Sequence, residues 1–278
     1  MDLWQALLLG FIEGITEFLP ISSTGHLTIA EKLMGYSIDD PDITAFTAII
    51  QVGAVLATLL YFRKDIIGIV SAFLRGVFRT EHRNERGYRY GWAIILGSLP
   101  IAIVGLTFKD EIETVLRSLW FVGSALLLWS AVMWYADHKG TQDRTEASVT
   151  WKDTLIIGIT QCLALIPGVS RSGATMSAGL LRGLDRVTVT KLSFFLSIPA
   201  LVAAGALQSV TEFNNISNGV GWPATIIAAA TSFVVAYVAV AWLLKYIAGH
   251  SYSLFIAYRV VLGCVVLLLV ATGTIAAT

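Results

Sequence analysis

The sequence predicts an all-α integral membrane protein, an inverted-topology repeat with six spanning helices and two re-entrant helix-loop-helix hairpins. Three observations lead to this fold class: long apolar stretches, basic residues confined to a few connecting segments, and two short apolar segments that resemble each other. Of the 278 residues, 56% are hydrophobic and only 14% are charged. An ordinary soluble domain has roughly 25% charged residues. This composition therefore excludes an ordinary soluble protein.

Six windows with almost no charge are long enough, or nearly so, to cross a hydrocarbon core about 30 Å thick. They are residues 43–62, 90–108, 119–135, 192–208, 223–244 and 254–274. Together they predict a single polytopic membrane domain, 1–278, with one repeat half at 1–137 and the other at 151–278. No basic segment precedes the first apolar stretch, so we expect no cleaved signal peptide.

Basic residues are concentrated in residues 63–89, and further ones lie in 139–152, in 182–191 and at Lys245. The positive-inside rule places these segments in the cytoplasm. The acidic segment 36–42 and the segment 209–221, which lacks Lys and Arg, then fall outside, as do both termini. The net charge is zero, and we expect no nucleic-acid partner.

This assignment requires residues 3–34 and 154–184 each to enter and leave the membrane on one side. Both segments contain a break rich in Pro, Ser and Gly, and their shorter pieces would reach only about 20 Å as helix. They are therefore predicted to be re-entrant hairpins, the first opening outside and the second to the cytoplasm.

The two hairpins share sequence, which indicates a repeat. GITE at 14–17 recurs as GITQ at 158–161, and SSTG at 22–25 recurs as SRSG at 170–173, with Pro20 and Pro167 before the polar quartets. Inverted repeats with broken helices place functional groups at the repeat interface. We therefore expect the two hairpin tips to meet near the bilayer midplane.

Glu13 and Glu17 are four residues apart on an apolar helix and project from one face. One acid at membrane depth costs about 2.5 to 3.5 kcal/mol, so two predict a function. A site for a divalent metal or for proton transfer is favoured over a structural pair bonded to an arginine.

The first break carries Ser22, Ser23, Thr24, Gly25 and His26 at the start of a new helix. Free N–H groups and the positive end of the helix dipole favour an anion there, so this is a candidate phosphate site. His26 lies one turn from the two serines, within reach as an acid or base. Serine and threonine alone are weak evidence, because helix caps use them routinely.

The second break, Ser170 to Thr175, repeats this design with Arg171 in the place of Ser23. A guanidinium suits phosphate oxygens, although it would also neutralise the glutamates. The remaining candidate ligands of this break are Ser170, Ser172, Gly173 and Thr175. Gln51, in mid-span, either orders a ligand or bonds another helix. For Arg259 a structural or snorkelling role is favoured.

The motifs EGITEFLPISSTGH at 13–26 and PGVSRSGAT at 167–175 closely resemble the two signatures of the undecaprenyl pyrophosphate phosphatases, the bacitracin-resistance proteins. Length, hydrophobic layout and repeat also fit this family. The resemblance implies removal of the terminal phosphate from undecaprenyl pyrophosphate at the periplasmic face of the bacterial inner membrane. It further implies recycling of the cell-wall carrier lipid, bacitracin resistance, and dependence on Mg²⁺ or Ca²⁺.

Carried over to this chain, the resemblance makes Glu13 and Glu17 the acidic motif and metal site, Ser23 and His26 the hydroxyl and imidazole, and Arg171 the phosphate clamp. The preferred mechanism has Ser23 attack phosphorus, with Glu17 or His26 accepting its proton. His26 and a metal-activated water remain alternative nucleophiles.

A transporter or flippase for a lipid phosphate or other anion is the rival class, because such proteins also use inverted repeats. The partners expected here are the substrate lipid and the surrounding membrane. Small residues in 205–221 and in the last span are expected to support a homodimer.

Overall fold

A computed structural model of the protein describes residues 1–37, 40–108 and 118–277. In these ranges the chain folds into twelve α-helices without a β-strand, which confirms the all-α class. The helices are α1 (Leu3–Thr16), α2 (Ser23–Leu33), α3 (Pro41–Tyr61), α4 (Arg63–Phe78), α5 (Arg86–Thr107), α6 (Leu119–Lys139), α7 (Trp151–Gln161), α8 (Arg171–Leu181), α9 (Arg186–Thr211), α10 (Phe213–Asn218), α11 (Trp222–Ile247) and α12 (Ser253–Ala271). Residues 38 and 39 of the predicted outer loop lie outside the described residues.

Within the described ranges six helices, α3, α5, α6, α9, α11 and α12, are long and apolar enough to cross a membrane. Each coincides with one of the six predicted windows, so the number and place of the spans are confirmed. Prolines lie inside two of them, Pro100 in α5 and Pro199 in α9.

Helix α4 occupies the first part of residues 63–89, which the distribution of charge predicts to be a connecting segment. Ile67, Val70 and Leu74 recur along one side of the helix and are exposed, while Arg75 faces solvent near its end. An exposed apolar face beside basic residues is typical of a helix lying in the membrane interface.

The two breaks have the same local geometry. Ser22 and Ser170 are the N-caps of α2 and α8, with φ of 76° and 75°, a left-handed conformation that is unusual for serine. Each hydroxyl accepts a hydrogen bond from the backbone N–H three residues later, at Gly25 and Gly173. The shared sequence pattern therefore produces a shared turn.

Each helix–break–helix unit returns to the end of the molecule where it started. In the first unit, the Tyr36 hydroxyl donates to Gln5 Oε1 at 2.6 Å. In the second, Arg182 Nε donates to Asp153 Oδ1 at 3.0 Å, joining the end of α8 to the start of α7.

The basic segments converge on one end of the bundle, called here the basic end. Glu146 lies 3.4 Å from Arg86 and 3.7 Å from Lys191, which joins three of the predicted cytoplasmic segments. At the opposite end, the N–H at the start of α6 donates to the carbonyl of Ala277 at 2.8 Å. Asp153 of the second unit accepts from Arg144, so the start of that unit lies at the basic end.

Glycines let α1 and α7 pack against different spanning helices. A Cβ at Gly14 of α1 would lie 2.6 Å from the carbonyl oxygen of Ser232 in α11. A Cβ at Gly158 of α7 would overlap the carbonyl oxygen of Gly97 in α5. Small residues permit this close backbone approach between apolar helices, so both contacts depend on the absence of a side chain.

Candidate active site

Glu17 is the centre of a buried polar cluster. Its Oε2 accepts from the hydroxyl of Ser23 at 2.6 Å, and its Oε1 accepts from Gln51 Nε2 at 2.9 Å and from Arg171 Nη2 at 2.6 Å. The Glu17 side chain is 3% exposed and that of Arg171 is 14% exposed. A hydroxyl, an amide and a guanidinium therefore converge on one carboxylate.

Four separate elements supply this cluster, and the sequence explains their placement. Glu17 follows the last turn of α1, with its N–H bonded to the carbonyl of Glu13. Ser23 and Arg171 are the first residues of α2 and α8, so equivalent positions of the two units face the same carboxylate. Gln51 comes from the middle of α3 and bonds Glu17.

The two breaks also bond each other directly, as the sequence predicted. The N–H of Gly168 donates to the Ser22 hydroxyl at 3.2 Å, and the Ser172 hydroxyl donates to the carbonyl of Leu19 at 2.9 Å. Ser170 and Ser172 share a further hydroxyl contact of 3.0 Å. These bonds fix the position of Ser23 relative to Arg171.

The other predicted ligands occupy more peripheral positions. Thr175 is buried, and its hydroxyl bonds that of Ser193 in α9 at 2.6 Å. Thr24 is exposed at the start of α2. Gly25 and Gly173 contribute the N–H groups that complete the two serine caps.

His26 lies next to the cluster and bonds other partners. Its Nδ1 is 2.7 Å from the carbonyl oxygen of Ser22, and its Nε2 is 2.7 Å from the hydroxyl of Tyr258, whose ring stacks on the imidazole. Both ring nitrogens are thus engaged away from Ser23. Tyr258 was not singled out from the sequence, because a tyrosine in a span gives no signal of its own.

Glu13 is 1% exposed, and its Oε1 has no hydrogen-bond partner within the described part of the chain. It adjoins Glu17 and lies within electrostatic reach of Arg171. Two neighbouring carboxylates, one with an unused oxygen, fit Mg²⁺ or Ca²⁺, because both ions prefer oxygen ligands and Mg²⁺ completes its shell with water and phosphate. No set of three or more His, Cys, Asp or Glu residues arranged for a metal is present in the described ranges.

Arg259 joins the two breaks from α12. It is fully buried; Nη2 donates to the carbonyl of Gly168 at 2.9 Å, Nη1 to that of Pro20 at 3.4 Å, and Nε to the Ser130 hydroxyl at 3.2 Å. Of the two roles favoured by the sequence, this geometry fits the structural one, since a fully buried guanidinium does not snorkel. In the sequence, Arg259 stands out as a single charged residue within an apolar span.

Together the fold and the cluster define a polytopic membrane protein with a serine, paired acids and an arginine at the junction of two broken-helix units. Such a set fits an enzyme that handles an anionic group within the membrane. The family model of the bacitracin resistance protein BacA matches residues 6–265. The chain belongs to this family.

Named relatives match along the whole chain. The "Undecaprenyl-diphosphatase 3" of Frankia casuarinae is 70% identical over 278 residues, which is 100% of both chains. The "Undecaprenyl-diphosphatase" of Cutibacterium acnes is 51% identical, with 100% of both chains covered. The "Undecaprenyl-diphosphatase 1" of Streptomyces avermitilis is 48% identical over 99% of each chain.

Proposed function

We propose that this protein hydrolyses undecaprenyl pyrophosphate to undecaprenyl phosphate and inorganic phosphate. The observation that carries this proposal is the Ser23 hydroxyl bonded at 2.6 Å to Glu17 Oε2, with Arg171 on the same carboxylate. A nucleophile, its base and a cation for the phosphate thus occupy one buried site. The names of the relatives supply the substrate.

In the proposed reaction, Ser23 Oγ attacks the terminal phosphorus as its proton passes to Glu17 Oε2. The bond between that phosphorus and the bridging oxygen breaks, and undecaprenyl phosphate leaves. Water then attacks the phosphoserine, which releases inorganic phosphate, and Ser23 recovers its proton. The hydrogen bond to Glu17 favours this assignment over His26 as base or nucleophile, because both nitrogens of His26 are engaged elsewhere.

Negative charge on the transferring phosphoryl group needs compensation at membrane depth. Arg171 offers a planar fork of donors that suits phosphate oxygens. The N-termini of α2 and α8, which begin at Ser23 and Arg171, add the positive ends of two helix dipoles. Gln51 holds the Glu17 carboxylate in the orientation that Ser23 requires.

Glu13 and Glu17 are the residues that would hold Mg²⁺ or Ca²⁺. A bound divalent cation would neutralise charge on the pyrophosphate oxygens. The unused Oε1 of Glu13 supports this part of the proposal.

We also propose that the two helix–break–helix units are re-entrant hairpins of an inverted repeat, and that the site opens to the periplasm. Similar serine caps and the return of each unit to its starting end support the repeat. The basic end would lie in the cytoplasm under the positive-inside rule. In the cell, the reaction would recycle the cell-wall carrier lipid and confer bacitracin resistance.

The test is phosphate release from a long-chain prenyl pyrophosphate by the purified protein in detergent. We expect activity that a chelator removes and that Ser23→Ala and Arg171→Ala reduce by more than about a hundredfold. Arg79→Ala, an exposed arginine, serves as the matched control and should retain full activity. Full activity in both site variants would refute the assignment.

The same assay separates hydrolysis from transport. A transporter needs two compartments, whereas a hydrolase releases phosphate in detergent. Lipid movement in vesicles without phosphate release in detergent would favour the transporter class instead. Labelled substrate that leaves phosphate on His26 and none on Ser23 would exclude the serine mechanism.

A further inference from the structure

A cavity of about 780 Å³ lies at the basic end of the molecule. The start of α5, residues 147–150 and the start of α7 line it, so both halves of the chain contribute. None of its lining residues belongs to the cluster around Glu17. It is therefore a separate feature of the protein.

The cavity carries unbalanced positive charge. Arg86, Arg89 and Lys152 line it, and its lining contains no acidic residue. The nearby Glu146 pairs with Arg86 and Lys191. Arg89 and Lys152 have no ion-pair partner among the residues that the structure describes, although Lys152 Nζ lies 5.7 Å above the Trp151 ring. Two cations thus remain available for an anion.

The side chain of Tyr90 is an independent indication of a ligand. It lines the cavity and is only 6% exposed, yet its hydroxyl has no partner among the described residues. Buried polar groups in native proteins are nearly always hydrogen-bonded. A phosphate oxygen in the cavity would accept this bond, and free N–H groups of the first turn of α7 would add to it.

The rest of the lining favours a lipid over a free anion. Along α5 the cavity runs from Arg86 and Arg89 past Trp92 to Leu96, a distance of about 15 Å at 1.5 Å per residue. Trp92 and Trp151 are half exposed, as in the aromatic belts at membrane interfaces. Charge at one end and apolar surface at the other match a headgroup and the start of its acyl chains.

We propose that this cavity binds an anionic phospholipid of the leaflet at the basic end. Arg89, Lys152 and the Tyr90 hydroxyl hold the phosphate, and Trp92 and Leu96 contact the acyl chain. Basic pockets between spanning helices recognise anionic headgroups in this way. Because α5 and α7 come from different halves, the bound lipid joins the two halves at the entrance of the second unit.

The experiment measures lipid binding to the delipidated protein by native mass spectrometry, with phosphatidylglycerol and phosphatidylcholine as probes. The wild type should bind phosphatidylglycerol preferentially. Arg89→Gln combined with Lys152→Gln should weaken that binding by about thirtyfold, the effect of two basic contacts at a lipid surface. Arg79→Gln combined with Lys245→Gln removes the same charge outside the cavity and should leave binding unchanged.

Tyr90→Phe provides a second variant with little change in volume. It should weaken the binding of phosphatidylglycerol and leave the binding of phosphatidylcholine unchanged. Phosphate release in all these variants should match the wild type, which shows that they are folded. Undiminished phosphatidylglycerol binding by the double variant would overturn the proposal. Displacement of the lipid by millimolar inorganic phosphate would also overturn it and would indicate a site for a free anion.

Discussion

The buried Glu17 carboxylate is paired with a single guanidinium, that of Arg171. A buried ion pair needs further hydrogen bonds to offset the loss of water around both groups. Ser23 and Gln51 provide these bonds. The carboxylate is thus oriented before the substrate arrives, which the proposed proton transfer from Ser23 requires.

Gln51→Ala removes one donor from Glu17 and leaves the catalytic groups in place. A hydrogen bond to a charged group is worth about 1.5 to 3 kcal/mol, so we expect kcat/KM for phosphate release to fall roughly ten- to a hundredfold. Gln208→Ala, near the C-terminal end of α9, is the matched control and should leave kcat/KM unchanged. A Gln51 variant with wild-type kinetics would show that this bond does not orient Glu17.

Arg259→Met leaves the carbonyls of Pro20 and Gly168 without their buried donor. Each unsatisfied group costs about 1 to 3 kcal/mol, so the thermal midpoint in detergent should fall by several degrees and phosphate release should fall with it. Arg259→Lys, which keeps a cation and some donors, should recover part of both losses. Equal thermal midpoints for Arg259→Met and for Arg79→Met, an exposed control, would contradict this structural role.

Several site residues follow from the sequence because their chemistry is out of place in an apolar segment. Glu13, Glu17 and Arg171 stand out for this reason, and Ser23 stands out by its position after a helix break. The contacts of Gln51, Tyr258 and Arg259 do not follow, since each joins residues far apart in the chain. Helix packing, which a hydropathy pattern does not specify, determines those contacts.

At the scale of helices, glycine determines which spans α1 and α7 contact. α1 packs on α11 through Gly14, and α7 packs on α5 through Gly158. Apolar composition predicted all six spans, because length and hydropathy alone identify a spanning helix. It missed α4, whose uncharged stretch, residues 66–74, is too short to cross the hydrocarbon core.

Gly158→Ala tests this packing. The added methyl group meets the backbone of Gly97, which a side-chain rotation does not relieve, and overpacking of this kind costs about 1 to 3 kcal/mol. We expect a lower thermal midpoint. Gly68→Ala in α4 has open space around the new Cβ and should raise the midpoint slightly, because alanine favours helix by about 1 kcal/mol. A neutral Gly158 variant would contradict the close approach.

At the scale of the whole molecule, ion pairs at the basic end hold the connecting segments together. Asp153 accepts from Arg144 Nη2 at 2.7 Å and from Arg182 Nε at 3.0 Å, and it links residues 140–150 to both helices of the second unit. Burial alone would raise the pKa of Asp153, but hydrogen bonds from Arg144, Thr150 and Arg182 outweigh it and hold the pKa well below its usual value.

A carboxyl group whose pKa is depressed by folding stabilises the protein above its unfolded pKa, near 3.8 here, and this contribution is lost as the pH falls. Asp153→Asn should therefore lower the thermal midpoint at neutral pH, consistent with roughly 3 kcal/mol for a broken buried pair. The difference from the wild type should shrink below about pH 4. Asp65→Asn, exposed on α4, is the control; a constant difference at every pH would contradict the assignment.

The homodimer remains a prediction from the small residues in 205–221 and in the last span. One of them, Gly205, is buried, and a Cβ there would lie 2.9 Å from Val52 of α3. This glycine therefore serves packing within the chain. The remaining small residues of the segment are the ones to substitute in a test of dimer formation.

The position of Arg259 in the chain also bears on how the protein is made. Translation and insertion proceed from the N-terminus, so both breaks enter the membrane well before α12 is synthesised. Until then the carbonyls of Pro20 and Gly168 lack the guanidinium that bonds them in the finished protein. The hydrogen bonds that join the two breaks through Arg259 therefore form only after α12 is inserted, later than the insertion of the candidate site residues themselves.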